Sequence, residues 1–239
     1  MSYVFDTLGV LGIVLELCLV VFLLFGPYRK YFVLLIYSLT MLATTVVEST
    51  VKRLRPTDAA LFRKIYWSDE VLWFLLLFVT VISLTYIALE GSPLRAKAGR
   101  VLGGIFVGVL ILPFVLLHPP FFTNAHQWTS AWGAWFNGAS QILDFGGAIM
   151  NLALWSALLA SRKRDPQLLT VSAGLGVILT GQAIAFGLRH FIQQERWIPD
   201  LLHNLSDLSG MLILCYAVRP GLKPRPAASE PLSTSRDLL

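Results

Sequence analysis

The chain has 239 residues, 56% of them hydrophobic and only 14% charged, and its mean hydropathy is +0.68. Ordinary water-soluble domains carry roughly 25% charged residues, and a soluble chain of this size could not hide so much apolar surface. The formal charge of +5 would suggest nucleic acid in a soluble protein, but here the basic residues lie between hydrophobic runs, where they act as topology signals, and no nucleic-acid partner is expected.

A transmembrane helix needs about 20 mainly apolar residues. Proline, glycine and charge divide the chain into seven such runs, at residues 4–25, 31–47, 67–89, 101–117, 134–160, 168–188 and 198–218. The expected fold is all-α: a polytopic integral membrane protein with one seven-transmembrane-helix bundle over residues 1–218. Residues 219–239, rich in Pro, Ser and Ala and without apolar periodicity, are expected to form a disordered cytoplasmic tail.

The first run follows MSYVFDTLGV, which has no basic lead and carries Asp6, so it lacks the marks of a cleaved signal peptide and should remain as a helix. The second helix should end near Arg55, because Pro56 disfavours helical geometry at the residue before it. Asp58 then suits the N-cap of an interfacial helix, with Leu61, Phe62 and Ile65 on one face, leading into the third span. The fourth run carries Gly104 and Gly108 at a spacing that usually marks helix packing inside one chain. Cys18 and Cys215 fall inside apolar runs, where a thiol behaves as a small hydrophobe.

Cytoplasmic loops are enriched in Lys and Arg. With the N-terminus outside and the C-terminus in the cytoplasm, twelve of the 19 basic residues fall inside, among them Arg29, Lys30, Arg95, Lys97, Arg100 and the run Arg162-Lys163-Arg164. The remaining seven, including Lys52, Arg53 and Arg189, fall outside. The expected location is the cell (plasma) membrane.

Polar residues within spans carry the most information, since each must face the bundle or a water-filled cavity. In the fifth span Asn137, Gln141, Asp144 and Asn151 share one helical face, and Asp144 lies deep enough that it must be hydrogen-bonded, paired or neutral. In the seventh, Asp200, His203, Asn204 and Asp207 form a polar face opposite Leu201, Leu205, Leu208 and Leu212. Fainter stripes place Glu16 on the first helix, Tyr37, Thr44 and Glu48 on the second, Asp69, Thr80 and Ser83 on the third, and Gln182 with Arg189 on the sixth. These residues are expected to line an outward-facing polar cavity whose acids attract a cation or a cationic solute.

Sharper chemistries find little support. His203 and Asp207 supply only half of a His-x-x-x-His metal pair, so no metal or other cofactor is expected. The last span lacks a Schiff-base lysine, Ser209 lacks a Gly-x-Ser-x-Gly elbow, and no phosphate-cradling glycine loop follows Gly103-Gly104. The sequence therefore points to a receptor- or sensor-like bundle whose partners are the lipid bilayer, a small-molecule or cation ligand and a cytoplasmic signalling partner. A small-solute or proton-coupled transporter is the alternative, and a membrane-embedded metal-dependent hydrolase comes third.

Overall fold

A long apolar run can satisfy its backbone N–H and C=O groups without water only by coiling into a helix, and each of the seven runs does so. The structure is a computed structural model that describes residues 2–54, 59–90, 95–118, 128–160, 165–191 and 197–220. Its helices are α1 (Ser2–Phe25), α2 (Phe32–Leu54), α3 (Ala59–Ala88), α4 (Arg95–Leu117), α5 (Trp128–Ala160), α6 (Pro166–Phe191) and α7 (Trp197–Val218), with no strand among the described residues. All seven are long and apolar enough to cross a membrane. The segment expected as a separate interfacial helix is continuous with the third span in the 30-residue α3. Asp58, its expected cap, and the tail from residue 221 lie outside the described residues.

Successive helices run up and down. At one end, the basic end, the α1–α2 turn meets the start of α6 through Lys30 Nζ and Asp165 Oδ2, 2.5 Å apart, and Gln167 Nε2 donates to the Ala217 carbonyl at 3.1 Å. At the opposite end Trp67 stacks on Phe136, and Arg189 on α6 pairs with Asp200 on α7 at 2.9 Å. In cross-section α1, α2, α3, α5, α6 and α7 form a ring closed by the α1–α7 contact, and α3 touches α6 across it. Sequence order alone would make α3 and α4 close neighbours, but α3 packs chiefly along α5 and leaves α4 at the periphery.

The glycines of α4 reflect its peripheral position. Cβ atoms added at Gly103, Gly104 or Gly108 would meet nothing within 4 Å, so the small-residue face expected to pack inside the chain does not. The close backbone approach occurs instead between α6 and α7, where a Cβ at Gly210 would lie 2.7 Å from the Gly174 carbonyl oxygen and one at Gly181 would collide with Ser206.

The bundle is apolar on its surface as well as within. Val10, Val14 and Leu17 of α1 and Val107, Phe114 and Val115 of α4 are exposed, while Ser140, Asp144, Ser172 and Gln182 have no accessible surface. Such an exterior suits lipid rather than water and suggests an integral membrane protein. Towards the basic end, Leu19 and Leu23, Leu34, Leu77, Phe78 and Val81, and Leu214 pack into a continuous apolar core.

Two predictions follow from these contacts. Gly210→Val should lower stability in detergent by about 1–3 kcal/mol through overpacking, whereas Gly104→Ala, with open space at its Cβ, should hold or slightly raise the melting temperature, as differential scanning fluorimetry would report. At the basic end Asp165 caps α6, its Oδ1 accepting from the Gln167 and Leu168 N–H groups at 3.0 and 3.1 Å. Partial burial opposes its charge, but the Lys30 ammonium and those N–H groups outweigh it and hold the carboxyl below its ordinary range. The stabilisation is complete above the unfolded carboxylate value of about 3.9 and is lost as pH falls through the lower folded value. Asp165→Asn should therefore flatten the fall in melting temperature below about pH 4.5, an effect under about 1 kcal/mol because the pair is partly exposed.

Candidate ligand-binding cavity

Four helices turn polar faces toward one another near the end opposite the basic one. Helical spacing places Tyr37, Thr44 and Glu48 on one face of α2, and Tyr66, Asp69, Glu70 and Trp73 on one side of α3. They meet His203, Asn204 and Asp207 of α7 and Glu16 of α1 around a cavity of about 740 Å³. Gly9 and Gly12 of α1 also line it, and their missing side chains help leave the space open. The cavity ends near Glu16, Leu76 and Met211, where the apolar core of the basic half begins.

Its lining is strongly acidic. Glu16, Glu48, Asp69, Glu70 and Asp207 contribute five carboxylates, against the guanidinium groups of Arg53 and Arg189. Arg189 is already paired with Asp200, which does not line the cavity. Aromatic faces interleave with the acids. Trp73 donates its indole N–H to the Tyr37 hydroxyl at 2.5 Å and meets the His203 ring edge-on, with 6.0 Å between centroids. His203 Nε2 lies 3.5 Å from Asp207 Oδ2, and the other Asp207 oxygen accepts a 2.7 Å hydrogen bond from Gln182 Nε2. Asn204 donates to the Asp200 carbonyl one turn earlier.

Of the residues singled out in the sequence, Glu16, Glu48, Asp69, Arg189, His203, Asn204 and Asp207 line this cavity. Gln182 and Asp144 stand fully buried outside its lining. The α5 stripe disperses: Asn137 is exposed, Gln141 is half-buried away from the lining, and Asn151 exchanges hydrogen bonds with the Ser172 carbonyl and hydroxyl, which tie α5 to α6. Sequence reasoning did not select Tyr66 or Trp73 as lining residues. The Asp69–Trp73 spacing of one helical turn was the available signal.

Among the described residues no group of three or more His, Cys, Asp or Glu could hold a metal ion. A second depression of about 690 Å³ on the outer face of α5, α6 and α7 is lined mainly by apolar groups such as Leu152, Trp155, Val177 and Leu205, and carries no charged side chain. Comparison with protein-family models, curated proteins and solved structures finds no match.

Tyr37 is 1% exposed, so its hydroxyl is the acceptor on which the Trp73 N–H depends inside the bundle. Tyr37→Phe should cost about 1–3 kcal/mol by orphaning that donor. A red-edge change in tryptophan fluorescence together with a lower melting temperature would report the loss.

Proposed function

We propose that the chain is a multi-pass membrane receptor or sensor whose cavity takes a small organic cation. The observation that carries this reading is the imbalance of charge: five carboxylates line one cavity, and of its two arginines Arg189 already has a partner outside the lining. Carboxylates in a low-dielectric cleft concentrate cations, and the rings of Trp73 and Tyr66 suit an amine or quaternary ammonium that also carries apolar groups.

The distribution of Lys and Arg supports an arrangement in which the cavity opens outside the plasma membrane and the basic end faces the cytoplasm. The apolar core between the cavity and the basic end supports a receptor over an open path for solute. In this reading ligand binding shifts α7 against its neighbours, and a cytoplasmic partner reads the change at the basic end.

The test is thermal stabilisation of the detergent-purified protein by a panel of primary amines, quaternary ammonium ions and matched organic carboxylates. Cations should raise the melting temperature saturably, carboxylates should not, and Glu48→Gln combined with Asp69→Asn should weaken the response at least tenfold. Stabilisation by carboxylates, or by no member of the panel, would overturn the proposal. Uptake of a stabilising amine into proteoliposomes would reassign the bundle as a transporter.

A further inference from the structure

The acids that line the cavity stand at two depths. Trp73 of α3 fixes a middle level, because its indole N–H donates to Tyr37 of α2 and its ring meets His203 of α7 edge-on. Helix direction sorts the acids about that level. From the mouth α3 runs toward the basic end, so Asp69, one turn before Trp73, lies about 6 Å nearer the mouth. The opposite course of α2 carries Glu48 about three turns from Tyr37 toward the mouth. Like α3, α7 descends, which sets Asp207 about 6 Å below His203. On α1, a Cβ at Gly12 would lie 3.8 Å from Leu208, and Cys215 Sγ donates to the Leu15 carbonyl at 3.5 Å. Glu16, one turn past Gly12, is therefore the deepest acid of the lining.

Each depth holds an acceptor without a donor. Glu16 is 7% exposed and lines the cavity floor, and its Oε2 has no hydrogen-bond partner. At the mouth Glu48 Oε1 is likewise unpartnered. Arg53 and Arg189 share the upper lining, whereas below the middle level no lysine or arginine among the described residues accompanies Glu16 and Asp207.

A ligand with one cationic group satisfies only one of these ends. The cavity of about 740 Å³ is also of the size that takes a larger organic molecule rather than a single small amine. Between the two depths the half-buried Trp73 ring offers an apolar face, held in place by its bond to Tyr37. The order along the cavity is thus acid, aromatic ring, acid.

We propose that the cavity takes a linear dication of the α,ω-diamine class, one ammonium group at Glu48 and Asp69, the other at Glu16 and Asp207, and the apolar spacer against Trp73. This deepens the organic-cation reading and rests on it. About 12 Å of helix rise separates Asp69 from Asp207 across the middle level, a span that side chains reaching inward shorten to that of a diamine of intermediate length. An ammonium group pairs directly with a carboxylate. A neutral amine that meets a carboxylic acid takes the proton from oxygen to nitrogen and forms the same pair, so recognition does not depend on which form the empty cavity holds.

The purified full chain in detergent is titrated with α,ω-diamines from propane to nonane and with the monoamine of each chain length, and thermal stabilisation is followed at constant ionic strength and pH. The best diamine should half-saturate at a concentration lower than its monoamine's by about tenfold or more, with the optimum inside the series rather than at its long end. Glu16→Gln should close the gap between the two series, while Asn137→Ala, on the exposed part of α5, should keep it. If Glu16→Gln fails to elute as monodisperse protein, the length series on the unaltered chain decides. Monoamines that match the diamines at every length, or affinity that climbs with length alike in both series, would overturn the two-ended site and leave the single-cation reading standing. No stabilisation by any amine of either series would overturn both.

Discussion

The hydrogen bond from Gln182 to Asp207 is the interaction on which the rest of the arrangement depends. A helix carrying Asp200, His203, Asn204 and Asp207 on one face is a poor candidate for lipid unless its neighbours take up those groups. Gln182 does so from α6, Arg189 does so for Asp200 one helical end away, and His203 is covered by Trp73 from α3. This partnership requires α6 and α7 to lie unusually close. Gly174, Gly181 and Gly210 permit it by removing the side chains that would hold the backbones apart. Small residues thus do their work at one remove, because the close approach they allow is what makes a polar helix tolerable inside the bundle.

The same arrangement divides the protein into halves of different character. One half is a cleft whose carboxylates outnumber their cationic partners, and the other is a dense apolar core from Leu19 and Leu23 across to Leu214. Glu16 sits where the two meet, 7% exposed and with Oε2 unpartnered. A charge entering the cleft next meets a core whose buried residues are Leu, Val, Phe and other side chains without charge, a costly surrounding for an unpaired ion. In the receptor reading proposed above, a ligand reaching this boundary would meet α1 and α7, the pair that closes the ring.

Much of the fold was legible in the sequence because the bilayer length imposes one scale on every apolar run. The seven helices occur where hydropathy and punctuation place them, with α3 beginning earlier as one unbroken rod. Periodicity also gives the face on which a polar residue lies, but not the helix that this face meets. Asn137, Gln141, Asp144 and Asn151 share a stripe in α5, yet this long helix passes different neighbours along its length. The stripe ends up divided among the surface, the buried interior at Asp144 and a bond to Ser172. Glycines posed the same difficulty. Those of α4 and those of α6 and α7 look alike in sequence, and only the packing shows which set touches another backbone.

Helix length adds a consequence of a different kind. At about 1.5 Å per residue, the 30 residues of α3 and 33 of α5 make rods of about 45–50 Å, against a hydrocarbon layer of roughly 30 Å. The 22 residues of α7 come much nearer to that thickness. In a bilayer the two long helices must either tilt or stand clear of the acyl chains by more than a turn, and α7 need do neither. Asp69 and Glu70 lie about a third of the way along α3, so the tilt of this rod sets the depth at which these acids stand. Thickening or thinning the bilayer would change that tilt and alter the shape of the cleft without any ligand being present.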